Sequence, residues 1–163
     1  MGQTATYHAT VRWTGEHRGH LVMGNGPEMP FSAPPDAQGY PDVFTPEDAF
    51  VAAANTCIML MFIWACERFK LKLLAYECRA EGTKRVQLDR TEIFTHLRLY
   101  PSIRILTGDE STAAVEARTR RALHAAQKYS LIANSVRSEI SVEPQIIIVE
   151  KTTEQPDEPI KPA

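Results

Sequence analysis

Cysteine is scarce in this chain: three in 163 residues, an odd number without regular spacing, which makes no disulfide framework. Charge of one sign is not in excess either. The formal net charge is -2 and no run of Lys or Arg could cover a face, so no nucleic acid and no membrane are expected as partners. His8, His17, His20, His96 and His124 lack the HExxH or CxxC…HxxxH spacing of metal ligands, and neither a metal nor another cofactor is expected. Gly24-Asn25-Gly26 is too short for a phosphate loop and opens no helix. A basic segment followed by an apolar core, the mark of a secretory signal, is missing at the N-terminus, and the expected location is a reducing cytoplasm.

Long hydrophobic runs are limited to one. Ala49 to Cys66 is apolar apart from Asn55 and Thr56, close to the length a bilayer requires. It is rich in alanine, tightly flanked by Asp48 and Glu67, and without a second such segment. A helix apolar on every face is read as the buried centre of a soluble fold.

What is present is ordinary globular composition, 44% hydrophobic and 23% charged. It predicts one domain over residues 1–150. Thr4 to Trp13 alternates, with Tyr7, Ala9, Val11 and Trp13 on one side, the pattern of a half-buried strand. His20 to Met23 and Met29 to Phe31 are two further strands after turns. Three prolines and Gly39 make Ser32 to Val43 a loop long enough to suspect a role. Thr45 then caps a helix, with Pro46 at its first position and Glu47 and Asp48 at the positive end of its dipole; the helix is expected to end at Phe69 or Lys70. Two long strands, Leu73 to Leu88 and Thr91 to Leu106, precede an amphipathic helix from Glu110 to Tyr129. Ser130 to Ser135 is a break or short turn, Ser138 to Glu150 a last strand, and Lys151 to Ala163 an aperiodic, proline-containing tail expected to be disordered. The order βββ–α–ββ–α–β indicates an α+β fold with antiparallel sheets. Two small sheets can hardly cover a helix that is apolar all round, so a homodimer that pairs two such helices is expected.

Cys57 lies in the middle of that helix. A lone cysteine there is most simply a small buried hydrophobe. Its surroundings add to this. Thr45-Pro46-Glu47-Asp48-Ala49-Phe50-Val51-Ala52-Ala53-Ala54-Asn55-Thr56-Cys57 resembles the Pro-Glu…Ala-Ala…Cys segment of the OsmC/Ohr family, the osmotically induced proteins and organic hydroperoxide reductases. Ala125 to Ser135 resembles that family's second motif, and the likeness in element order runs from Tyr7 to Val149.

The resemblance implies an OsmC-like fold, with antiparallel sheets wrapped around long central helices in an intertwined homodimer. It implies reduction of a small-molecule peroxide, organic ones above all, with Cys57 as the thiolate that becomes a sulfenic acid. Glu47 would orient an arginine that activates the thiol. Arg18 is the best match for that arginine and Arg12 the next. Met59, Phe62 and Ser130 are the expected substrate-binding residues, and Tyr129 and Asn134 lie near enough in sequence to line the same pocket. Glu47 and Cys57 are about 15 Å apart along one straight helix, so either the helix breaks or two subunits supply the pair.

The chain departs from the family at Ser130, where the peroxidases carry a second cysteine. Serine cannot resolve a sulfenic acid. Cys66 is nine residues beyond Cys57, near the opposite face of the helix, and Cys78 falls on a strand. The resemblance then implies either a one-cysteine peroxidase recycled by an external thiol reductant, or a non-catalytic relative that binds a small apolar ligand at the dimer interface.

Overall fold

The computed structural model describes residues 2–150; the tail expected after Glu150 lies outside them. The chain divides into two compact units, Met1–Ala54 and Asn55–Ala163. Helix α1, Pro46–Arg68, begins in the first and continues into the second.

The first unit is built on an antiparallel sheet in the order β1 (Ala9–Gly15), β2 (Arg18–Met23), β3 (Glu28–Ser32). The β1–β2 turn is tight. Gly15 and Glu16 both take positive φ, 119° and 48°, and the register shifts between Trp13 and Gly15. The expectation that one side of β1 is half-buried fails: Tyr7, Val11 and Trp13 are 86%, 65% and 79% exposed. The alternation is real, but nothing among the described residues covers it. Beyond β3, the proline-rich loop is closed by Gly39, whose N–H donates to the Pro34 carbonyl at 3.0 Å. A Cβ at Gly39 would lie 1.4 Å from the Ala33 carbonyl oxygen, so only glycine fits there.

Helix α1 starts as the sequence predicts. The Asp48 N–H donates to Thr45 Oγ1 at 3.1 Å, and the Thr45 N–H donates back to the Asp48 carboxylate at 3.0 Å. This reciprocal box satisfies two amides at the helix start. At the other end the Lys70 N–H donates to the Glu67 carbonyl and the Leu71 N–H to the Cys66 carbonyl. Lys70 has φ 55°, the geometry of a Schellman end. Between its caps α1 is unbroken.

In the second unit a long hairpin, β4 (Lys72–Val86) and β5 (Glu92–Leu106), opens a sheet in which β5 is central and β4 is at the edge. Along β5, Leu97, Leu99, Pro101, Ile103 and Ile105 are buried, while Arg98 and Arg104 between them are exposed. Burial of each large aliphatic side chain contributes about 2 kcal/mol. Ile58 and Phe62 of α1, both fully buried, and Val115, Ala122, Leu123 and Ala126 of α2 (Thr112–Tyr129) complete this core. Helix α2 is capped by Ser111, which accepts the Ala114 N–H. A short α3 (Leu131–Ser135) follows at once.

The single strand expected at the end is two, β6 (Glu139–Val142) and β7 (Gln145–Val149), because Pro144 lacks the N–H a continuous strand requires. Both pair with β5 in parallel, so the sheet is mixed where an antiparallel one was expected. The crossover through α2 explains this, since a helix returns the chain in the same direction.

Among the described residues α1 is the one helix long and apolar enough to cross a membrane, judged by length and composition alone; 28% of its most apolar stretch is buried within the chain. Ala52, Thr56, Leu60 and Trp64, four residues apart, form an exposed stripe along it, with Leu60 47% and Trp64 56% exposed.

Candidate functional site

Cys57 follows Ala54, Asn55 and Thr56 in the middle of α1 and is partly buried. A polar contact to its sulfur comes from the far end of α2. The Ser130 hydroxyl donates to the Cys57 sulfur at 3.1 Å. Ser130 is itself fully buried and caps α3, accepting the Ala133 N–H at 3.1 Å. That amide occupies a lone pair of the oxygen and leaves the hydroxyl proton directed at sulfur.

Around this pair the helix period decides which side chains share the face of Cys57. Met61 lies one turn on. Met59, two residues away, points elsewhere and is half-buried. Phe62 is fully buried, with its ring centroid 5.6 Å from that of Tyr76, and serves the core. The Asn55 amide donates to the Cys78 carbonyl at 2.9 Å and ties α1 to β4.

The other two thiols have different surroundings. Cys66 is 3% exposed; burial, with a smaller contribution from Glu67, pushes its thiol up to about 12. Burial also raises Cys78, although hydrogen bonds with the Tyr76 side chain and the Tyr100 backbone oppose the shift. Neither is a favourable thiolate.

In the first unit Arg18 stands at the start of β2, with a carboxylate beside it that is not Glu47. Its guanidinium lies 3.6 Å from Glu16 and 4.8 Å above the Tyr40 ring. The Tyr40 hydroxyl donates to Glu16. That hydrogen bond, helped by burial and opposed by Arg18, raises the tyrosine above its usual range. Glu47, in the first turn of α1, has a buried Oε2 with no hydrogen-bond partner among the described residues. It borders a cavity of about 470 Å³ with Tyr40 and Val43, and the same two residues border a second cavity, of about 510 Å³, that Arg18 lines. Arg12 is on β1 opposite His20. Asn134 donates to the Lys128 carbonyl at 3.0 Å.

The structure therefore joins Ser130 to Cys57, and Arg18 to Glu16 and Tyr40. Residues 16 and 40 were not singled out from sequence, although Tyr40 falls in the loop suspected of a role. An unbroken α1 removes a helix break as the way to bring Glu47 to Cys57.

A family model described as OsmC-like protein matches residues 39–145. No curated protein sequence matches the chain. Among solved structures, an OsmC-like protein of unknown function from Vibrio cholerae O1 biovar eltor superposes with a TM-score of 0.76 at 23% identity, covering 88% of this chain and 100% of that one. An organic hydroperoxide resistance protein from Elizabethkingia anophelis, with crystallant-derived thiocyanate bound, gives 0.67 at 21% identity, with 90% and 98% covered. The organic hydroperoxide resistance protein OhrB of Bacillus subtilis gives 0.58 at 14% identity, with 88% and 98% covered. These likenesses establish the α+β fold shared with those structures.

Proposed function

Because the chain belongs to the OsmC-like family, we propose that it is a thiol-dependent peroxidase acting on organic hydroperoxides through Cys57 as its single peroxidatic cysteine. The observation that carries this reading is the hydrogen bond from Ser130 to the Cys57 sulfur. It supplies a donor to a thiolate at the position where a second cysteine would resolve it.

In the proposed cycle the Cys57 thiolate attacks one peroxide oxygen. The S–O bond forms as the O–O bond breaks, and the departing alkoxide takes a proton and leaves as an alcohol. Cys57 is then a sulfenic acid. A first equivalent of external thiol displaces water and forms a mixed disulfide; a second attacks that disulfide, releases the oxidised reductant and restores the Cys57 thiol. No disulfide within the chain is required.

Arg18 and Glu47 join this reading as residues a second copy contributes, since Glu47 is about 15 Å from Cys57 along α1. A homodimer is supported by the apolar surface left uncovered: Val11 and Trp13 on β1, Leu60 and Trp64 on α1. Large uncovered apolar patches mark association surfaces, and a cytoplasmic location accords with three free cysteines. A non-catalytic member that binds a small apolar ligand at the interface is the competing reading, favoured by the absence of a resolving cysteine.

Trapping tests the proposal. One equivalent of cumene hydroperoxide followed by dimedone is expected to label Cys57 alone, seen by mass spectrometry of the digest. Absence of label at Cys57, with the protein folded, supports the non-catalytic reading instead.

A further inference from the structure

Three side chains of the first unit close on one another beside the β1–β2 turn. The Arg18 guanidinium lies 3.6 Å from Glu16 Oε2 and 4.8 Å above the Tyr40 ring. The Tyr40 hydroxyl donates to that same Oε2. Each member therefore touches the other two, and the guanidinium is held by the charge of a carboxylate and by the negative face of a ring.

The backbone beneath them is pinned. Glu16 takes φ 48°, and its carbonyl accepts the Trp13 indole N–H at 2.9 Å. Arg18 pairs with Ser32 across β2 and β3. Ser32 is fully buried, and its hydroxyl accepts the Tyr40 N–H at 3.2 Å. The Ala33 N–H donates to the His17 carbonyl at 2.9 Å. The loop that carries Tyr40 is thus tied to the turn and strand that carry Glu16 and Arg18.

Folding stability is a poor explanation for the cluster. The Arg18 and Glu16 side chains are 50% and 63% exposed, and ion pairs in that setting contribute little. Glu47 stands apart from it. No ion pair joins Glu47 to Arg18 among the described residues, and Tyr40 borders both the cavity that Arg18 lines and the one that Glu47 lines. We propose that Glu16, with Tyr40 hydrogen-bonded to it, is the carboxylate that orients Arg18 in this chain, the role that the family resemblance gives to Glu47. The inference rests on the peroxidase reading, in which negative charge develops on the departing oxygen as the O–O bond breaks. A cation fixed in place before that step stabilises the charge without having to reorganise. Glu16 and Tyr40 are positioning residues, and they act through Arg18.

A double-mutant cycle tests this, read as the rate at which cumene hydroperoxide oxidises Cys57 in a single turnover, with dimedone capture. Glu16→Gln is expected to slow that rate by about tenfold or more, since a small misplacement of a reacting group is costly, with an unchanged circular dichroism spectrum and urea midpoint. Tyr40→Phe keeps the ring and loses the hydroxyl, and is expected to slow it less. Glu47→Gln is also expected to slow it less than Glu16→Gln. In an Arg18→Gln background Glu16→Gln is expected to have no further effect, whereas a merely structural contribution would persist there. Full-rate oxidation in Glu16→Gln, an equal loss with and without Arg18, or a larger loss in Glu47→Gln would overturn the proposal. A native chain whose Cys57 is not oxidised removes the peroxidase reading and this inference with it; an active native chain matched by Glu16→Gln removes this inference alone.

Discussion

The Ser130 hydroxyl lies 3.1 Å from the Cys57 sulfur, and the Ala133 amide lies 3.1 Å from the same hydroxyl oxygen. One side chain thus caps a short helix and presents its proton to the candidate nucleophile. The family resemblance puts a resolving cysteine at this position; here the side chain is a hydroxyl donor to sulfur.

Replacement of Ser130 by cysteine is expected to restore an internal disulfide. A sulfur there needs to close only from hydrogen-bond distance to the ~2.05 Å of an S–S bond. One equivalent of peroxide is expected to remove two titratable thiols from Ser130→Cys without forming intermolecular species. Persistence of a dimedone-reactive Cys57 in that variant would contradict the geometry.

Ser130→Ala removes the donor and the cap together. Alkylation of Cys57 by iodoacetamide at neutral pH is expected to slow by about tenfold or more, since hydrogen bonds to charged groups contribute roughly 1.5–3 kcal/mol. Loss of the cap costs about 1 kcal/mol in a urea titration. Ser130→Thr, which keeps the hydroxyl, is expected to recover most of the alkylation rate; equal rates in all three proteins would remove the role assigned to Ser130.

Cys66 links pH to stability. Burial raises its folded value to about 12 from an ordinary 9.0, so between these values the unfolded chain loses this proton and the native chain keeps it. Stability therefore falls as pH rises above about 9, with a maximum slope from this group of about 1.4 kcal/mol per pH unit. Urea midpoints at pH 8 and pH 10 are expected to differ less in Cys66→Ala than in the native protein. The same fall in both would assign the pH dependence elsewhere.

Phe62→Ala separates core from ligand wall. A fully buried ring against Tyr76 predicts a loss of about 3–5 kcal/mol on truncation, read from chemical denaturation. A loss under about 1 kcal/mol together with an altered peroxide preference would return Phe62 to the substrate-binding set.

Much of this fold was legible because its signals are local. Thr45, Pro46 and Asp48 announce a capped helix before any tertiary contact is known, and the alternation of Ile93, Thr95, Leu97 and Leu99 with Phe94, His96 and Arg98 describes a strand. The Pro46-Glu47…Cys57 spacing pointed to the family. What was not legible depends on pairing across long sequence distances. Nothing in Glu139 to Val149 tells a parallel partner from an antiparallel one, and Glu16 and Tyr40 are 24 residues apart. Val11 and Trp13 alternate as a buried face does, yet both are exposed in the chain. Met61 could have been chosen over Met59 from helical periodicity alone, since it is a full turn from Cys57.

The most direct test of the central claim is steady-state consumption of cumene hydroperoxide by the purified protein with dithiothreitol or reduced lipoamide, beside Cys57→Ser. Turnover by the native protein that disappears in Cys57→Ser, with no internal disulfide detected during the reaction, is the predicted result. No consumption above the reductant blank by folded native protein, or equal consumption by Cys57→Ser, would contradict it.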